Sequence, residues 1–152
     1  MNNMRRDDNP KDIAEIVSRK YLEKGYDLDF SLKSLENEID KILENEISEN
    51  CIESANLESE LTAYFGETLC RVFDTKWKGE YYSENNGINY YTSKIEKNGF
   101  EFGPSHFISY YLSNGKENEG SFKDYLYSRD YSKGIFNDFL GGGLISKIKS
   151  KK

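Results

Sequence analysis

From the N-terminus, apolar residues recur at helical spacing three times before the chain changes character. Ile13, Ile16 or Val17, and Tyr21 mark one side of a first helix, Pro10 to Lys24. Asp8 or Asn9 suits its cap, Pro10 its first turn, and Gly25 the residue past its end. Tyr26, Leu28 and Phe30 then alternate with Asp27 and Asp29, the pattern of a short extended linker crossing the core edge. Ser31 reads as the cap of helix two, where Leu32, Leu35, Ile39, Ile42, Leu43 and Ile47 form a buried stripe. Asn50 to Asn56 reads as a loop. Helix three covers roughly Leu57 to Phe73, with Leu57, Leu61, Phe65, Leu69 and Val72 on one side. At about 100° per residue, Glu67 falls nearly opposite the centre of that side. Gly66 costs about 1 kcal/mol relative to alanine in a helix interior. Either a neighbouring backbone comes close there or the helix tolerates the loss.

From Trp77 the period shortens. The runs WKGEYYS and INYYTSKI are rich in strand formers and flank Glu84-Asn85-Asn86-Gly87, where Asn-Gly signals a hairpin. Phe100-Glu101-Phe102 follows the Asn98-Gly99 turn as a third short strand. Pro104 opens a helix to about Asn114, with Phe107, Ile108, Tyr111 and Leu112 inward and Gly115 as its stop. Ser121 with Asp124 resembles a capping box for a helix to about Tyr131. Ile135, Phe136, Phe139 and Leu140 form a last apolar turn before the Gly141-Gly142-Gly143 hinge. The expected fold is α+β, with helices packed on one face of a small antiparallel sheet of about three strands. It forms a single domain over residues 1–140, followed by a glycine-hinged basic tail over 141–152.

Composition changes the picture of the core. Only 36% of the 152 residues are hydrophobic while 14% are aromatic, so tyrosine and phenylalanine must fill much of the interior. Buried tyrosine hydroxyls need partners, which draws their polar tips toward the surface. The start, MNNMRRDDNPK, has no apolar core of a secretory signal, and nowhere do about 18 apolar residues run together. Cys51 and Cys70 form no CxxC pair and read as free thiols, which points to the cytoplasm.

Charge is unevenly distributed. Between Asp27 and Glu60 eleven acidic residues face only Lys33 and Lys41, a net of −9 within a chain of net −6. Such a block repels polyanions and draws basic proteins at long range, so no nucleic-acid partner is expected. Glu36, Asp40 and Glu44 stack at i, i+4 on one side of helix two, where like charges repel. That helix therefore owes its stability to its apolar stripe. The tail LISKIKSKK carries four lysines and few aliphatics, too little for stable membrane insertion.

The candidate chemistry is sparse. His106, the single histidine, has no metal-ligand spacing around it, so neither a metal nor a cofactor is implied. Glu67 and Asp40 are the notable carboxylates, each able to accept hydrogen bonds from the sheet or from Arg71. Nothing local brings Glu67 to His106. Tyr81, Tyr82, Tyr90 and Tyr91 invite base stacking, but adjacent strand residues point to opposite faces and no basic signature accompanies them. No phosphate loop, nucleophile elbow or HExxH motif occurs.

Two segments carry a family likeness. DFSLKSLENEIDKIL supplies Phe30, Ser31, Ser34, Leu35 and Asp40, and AYFGETLCRVFDTKW supplies Tyr64, Gly66, Glu67, Leu69 and Trp77. Together they resemble an uncharacterised bacterial domain family that pairs an F-S-x-x-S-L helix with a Y-x-G-E-x-L…W helix-to-strand element. GPSHFISYYLSNG and SFKDYL are similar to that family's proline-initiated helix and following loop. The likeness runs over roughly Tyr26 to Tyr127. The chain departs from the pattern at Cys70, Arg71 and Val72, where a more basic run is common, and in its tyrosine load. The resemblance implies a cytosolic α+β domain with no assigned activity, of a kind found around toxin–immunity systems. The expected function is a non-enzymatic protein-binding domain, an immunity-type inhibitor meeting a basic partner such as a toxin through Glu36, Asp40 and Glu44. The alternative is a small ligand-binding protein or enzyme with a pocket between helix three and the sheet, lined by Tyr64, Glu67, Trp77 and His106. A homodimer through the tyrosine-rich sheet edge is a weaker third.

Overall fold

The computed structural model describes residues 10–47, 54–78, 82–84, 87–89, 94–97, 99–118 and 120–128. The glycine run, the basic tail, Ile135 to Leu140, Cys51, Tyr81, Tyr90 and Tyr91 lie outside them.

Helix α1 spans Pro10–Glu23 and buries Ile13, Val17 and Tyr21. Val17, not Ile16, belongs to the inner face: Ile16 is 51% exposed. Gly25 adopts a positive φ of 100° just past the end, which glycine tolerates without strain. The linker alternates as expected, with Tyr26 and Leu28 buried and Asp27 and Asp29 exposed.

Helix α2 spans Leu32–Ile42, and the Ser31 hydroxyl accepts from the Ser34 amide at its start. Leu32, Leu35, Ile39 and Ile42 are buried. The helix then widens into a π-turn over Leu43–Ile47.

Helix α3 spans Ser54–Phe73, so its first turn occupies part of the segment expected to be a loop. Every residue from Leu61 to Cys70 is buried. This overturns the placement of Glu67 opposite the core, because α3 is wedged between α1 and α4 and has no outer side in this stretch.

The sheet consists of β1 (Lys76–Lys78), β4 (Lys94–Lys97) and β5 (Phe100–Phe102), antiparallel in the order β1-β4-β5. Strands β2 (Tyr82–Glu84) and β3 (Gly87–Asn89) pair separately, with Glu84 opposite Gly87. The expected hairpin therefore pairs in two ladders rather than one. Trp77, Ile95 and Phe102 stand in one cross-strand row toward the helices. On the other side the Lys94 ammonium lies 3.7 Å from Glu101.

Helix α4 (Pro104–Tyr110) passes through a second π-turn, Tyr111–Gly115, into the short α5 (Lys116–Asn118). Gly115 thus lies inside a continuing helix rather than stopping it. Helix α6 spans Phe122–Ser128 and opens with the expected capping box: the Asp124 amide donates to Ser121 Oγ at 3.0 Å, and the Ser121 amide to Asp124 Oδ2 at 3.4 Å.

Where α3, α4, α6 and the sheet meet, Phe65 stacks on Phe107 at 5.0 Å between ring centres. Phe102, Phe122, Tyr111 and Tyr125 pack around this pair. The tyrosine tips are satisfied locally, with Tyr125 donating to the Phe107 carbonyl at 2.8 Å and Tyr111 to that of Gly120 at 2.6 Å. No helix among the described residues is long and apolar enough to cross a membrane.

Candidate functional site

The motif residues converge around the middle of α3. A Cβ on Gly66 would stand 2.3 Å from Trp77 Cη2, 2.6 Å from its Cζ2 and 3.0 Å from Pro104 Cγ. The missing side chain is therefore the space into which the indole packs, and the neighbour that comes close is a ring rather than a backbone.

Glu67, the next residue, is 4% exposed. Its Oε1 accepts from Trp77 Nε1 and its Oε2 from Arg71 Nε, both at 2.9 Å. A buried carboxylate keeps its charge only with such donors. Arg71 also donates from Nη2 to Glu15 on α1 at 2.9 Å, and its guanidinium lies 3.8 Å above the Phe30 ring. One cation so ties α1, α3 and the linker together.

A second chain of hydrogen bonds joins α2 to α3. The Phe30 amide donates to Tyr64 Oη at 2.8 Å. Ser34 Oγ donates to the Ser31 carbonyl at 2.6 Å, which leaves the Tyr64 hydroxyl as donor in the 2.6 Å contact with Ser34 Oγ. Burial raises the Tyr64 pKa, with its hydrogen bonds pulling the other way, so the phenol stays protonated. Phe30 holds a φ of 64° at this junction, a conformation rare for a bulky residue.

The four residues of the expected pocket are only partly brought together. Glu67 and Trp77 are bonded, Tyr64 lies fully buried one turn earlier on α3, and His106 is exposed on α4. The fused Gly66–Trp77–Pro104 packing fills the space between α3 and the sheet at this point.

Two cavities instead lie along α2. The larger, about 840 Å³, runs from Asp27 and Asp29 past Phe30 to Glu38 and Arg71, with Lys33, Ser34 and Asn37 also at its wall. The smaller, about 440 Å³, is lined by Asp40, Leu43, Glu44, Tyr111, Leu112, Gly120 and Ser121.

Of the three carboxylates expected to meet a partner, Asp40 and Glu44 line the smaller cavity. Glu36 accepts from the Tyr127 hydroxyl. Asp40 accepts from the Phe122 amide at 2.7 Å and the Lys123 amide at 3.2 Å, capping α6. Glu44 is exposed. Burial, followed by the charges of Asp40 and Asp124, pushes the neighbouring Tyr111 hydroxyl up to about 12.

Sequence reasoning missed the cleft residues Asp27, Asp29 and Glu38 as a group, although the Tyr-Asp-Leu-Asp-Phe alternation put both aspartates outward. It also missed Leu43, Tyr111 and Leu112 as a lining, because each reads as ordinary core. Among the described residues no group of three or more His, Cys, Asp and Glu side chains could hold a metal ion. Cys70 is buried, and burial raises its thiol to about 11, a thiol poorly suited to act as a nucleophile.

Comparison with protein-family models, with curated proteins and with solved structures finds no match to the chain.

Proposed function

We propose that the chain is a non-enzymatic, protein-binding domain whose acidic side along α2 engages a basic protein partner. The observation that carries this is the placement of the acidic block: two cavities lie along α2, one bordered by Asp27, Asp29 and Glu38, the other by Asp40 and Glu44. Lys20, outside the block, pairs with Glu60 at 2.7 Å, and Lys41, already counted in the −9, pairs with Glu38 at 3.2 Å. Complementary charge of this kind speeds encounter and fixes orientation. The toxin–immunity setting of the family that the chain resembles supplies a partner class, a basic toxin held inactive in the cytoplasm. Buried, saturated hydrogen bonding at Glu67 and Tyr64 supports the non-enzymatic side of this reading.

The test is association with a panel of basic proteins as salt rises from about 0.05 to 0.5 M, over which the Debye length falls about threefold. Asp27, Asp29 and Glu44 are the residues to reverse to lysine, all three being exposed. Asp40 is spared because it caps α6. Affinity should fall steeply with both salt and charge reversal. Binding indifferent to both would remove the electrostatic reading.

One observation favours ligand binding as the second reading: the 840 Å³ cleft walled by the Phe30–Arg71 stack. Small-molecule sites have such volumes. Saturable binding of a metabolite that protects Phe30 and Arg71 would favour it over the protein partner.

A further inference from the structure

The larger cavity is walled in part by a guanidinium that the fold holds flat. Arg71 donates from Nε to Glu67 and from Nη2 to Glu15, so two edges of its plane are taken by carboxylates. One face lies 3.8 Å from the Phe30 ring, which itself packs on the buried Tyr64 at 5.1 Å between ring centres. A chain of ring contacts thus leads from the interior to the cleft and ends on Arg71. What the head group still offers is the face away from Phe30 and its Nη1 edge. The side chain is 36% exposed, which leaves that face within reach of a ligand. A guanidinium is weakly hydrated and stacks on aromatic rings, and this one has no freedom left to lose on being covered.

Charge along the wall narrows the class. Glu67 and Glu15 already balance Arg71, and Asp27, Asp29 and Glu38 stand against Lys33 alone. An anionic ligand is repelled there. Asp29 accepts from the Ser31 amide and Glu38 from the Asp27 amide, both at 3.1 Å. The exposed Asp27 carboxylate makes no hydrogen bond or ion pair among the described residues. Leu32 and Val72 supply apolar wall. We infer that this cleft binds a small aromatic amine, an inference that rests on the ligand-binding reading of the same cleft. The ring stacks on the outer face of Arg71 and the ammonium turns to Asp27. The cavity of about 840 Å³ accommodates both ends at once.

The test titrates the isotope-labelled full chain with phenethylamine, cyclohexylethylamine and phenylacetate. The two amines differ in the flatness of the ring, and phenylacetate reverses the charge. Phenethylamine should shift the Arg71 Nε–H and Val72 methyl signals by its ring current. It should bind about fivefold tighter than cyclohexylethylamine, the factor of an exposed cation–π contact. Phenylacetate should bind about fivefold more weakly than phenethylamine, and Asp27→Asn should weaken phenethylamine about threefold. Arg71→Lys keeps the charge, removes the flat face and should abolish the preference for the aromatic ring, with unchanged Leu61 and Leu69 methyl signals showing that it folds. Where that variant does not fold, the two amines on the unaltered chain decide the matter. Equal affinity of the two amines at the cleft, or an unmoved Arg71 Nε–H signal, overturns the stacking while leaving the cleft a ligand site. Phenylacetate binding as tightly as phenethylamine overturns the placement of the ammonium at Asp27. Shifts at no cleft residue with any of the three compounds overturn both the inference and the ligand-binding reading.

Discussion

On the α3 side of the molecule a carboxylate is sealed in, and on the α2 side several are left near solvent. Glu67 sits under the Trp77 indole with Arg71 closing over it, and each oxygen has its own donor. Asp40 also has both oxygens occupied, but by backbone amides at the start of another helix, beside a hollow. The pair teaches that the task of a carboxylate follows from which donors the fold brings to it. Side-chain donors from β1 and α3 make Glu67 a tie of the interior. Amides of α6 make Asp40 a cap, with Glu36 held by the Tyr127 hydroxyl one turn before it and Glu44 exposed one turn after.

The sharpest way to break this contrast is Glu67→Ala. It strands the Trp77 and Arg71 donors and should cost about 3 kcal/mol, near the low end for breaking a buried pair because Arg71 is partly hydrated. Urea unfolding measures it, and a loss under about 1 kcal/mol would make Glu67 no more structural than a surface acid. Gly66→Ala should come next at about 2 kcal/mol, since the new methyl collides with the indole and outweighs the gain in helix propensity. Loss of Trp77 fluorescence shift in the folded state would report the displaced ring.

Asp40→Ala on the other side should cost only about 1 kcal/mol, the usual loss of a cap. Amide exchange should accelerate at Phe122 and Lys123 while α3 stays protected. A loss as large as that of Glu67→Ala would erase the difference between the two sides. The smallest effect concerns reactivity. With its thiol raised to about 11, Cys70 has very little thiolate below that pH. In a Cys51→Ser background its alkylation at pH 8 should run about a hundredfold slower than that of a free thiol, and should rise about tenfold per pH unit until the pH nears 11, or at once when the chain unfolds.

Much of the local structure was legible in the residues. Ser31 and the Ser121–Asp124 pair announce their helix starts, and Leu32, Leu35, Ile39 and Ile42 announce a packed face, because caps and stripes act within a turn or two. Glycine before glutamate, with a tryptophan ten residues beyond that glutamate, also carried a signal: only glycine admits the indole that the glutamate then holds. The burial of Glu67 was not legible. A helical wheel ranks positions by polarity, and Thr62, Glu67 and Thr68 read as an outer side although α1 and α4 cover both flanks. The Asp40 cap joins residues 82 positions apart and has no local signature. Nor do the π-turns, whose composition is that of ordinary helix. The smaller cavity was therefore visible only as its two acids, Asp40 and Glu44.

The widened turn at Tyr111–Gly115 has a consequence for what lies against it. Relative to an unbroken α-helix it accommodates one more residue, so removing one would restore α-helical hydrogen bonding there and leave Lys116–Asn118 near their present phase. The change would fall on the hollow against α2, whose wall includes Tyr111 and Leu112 of that turn. A protein sharing this architecture but lacking the hollow should therefore differ from it by a single-residue gap at this place, and a shortened chain offers that comparison without altering any charge.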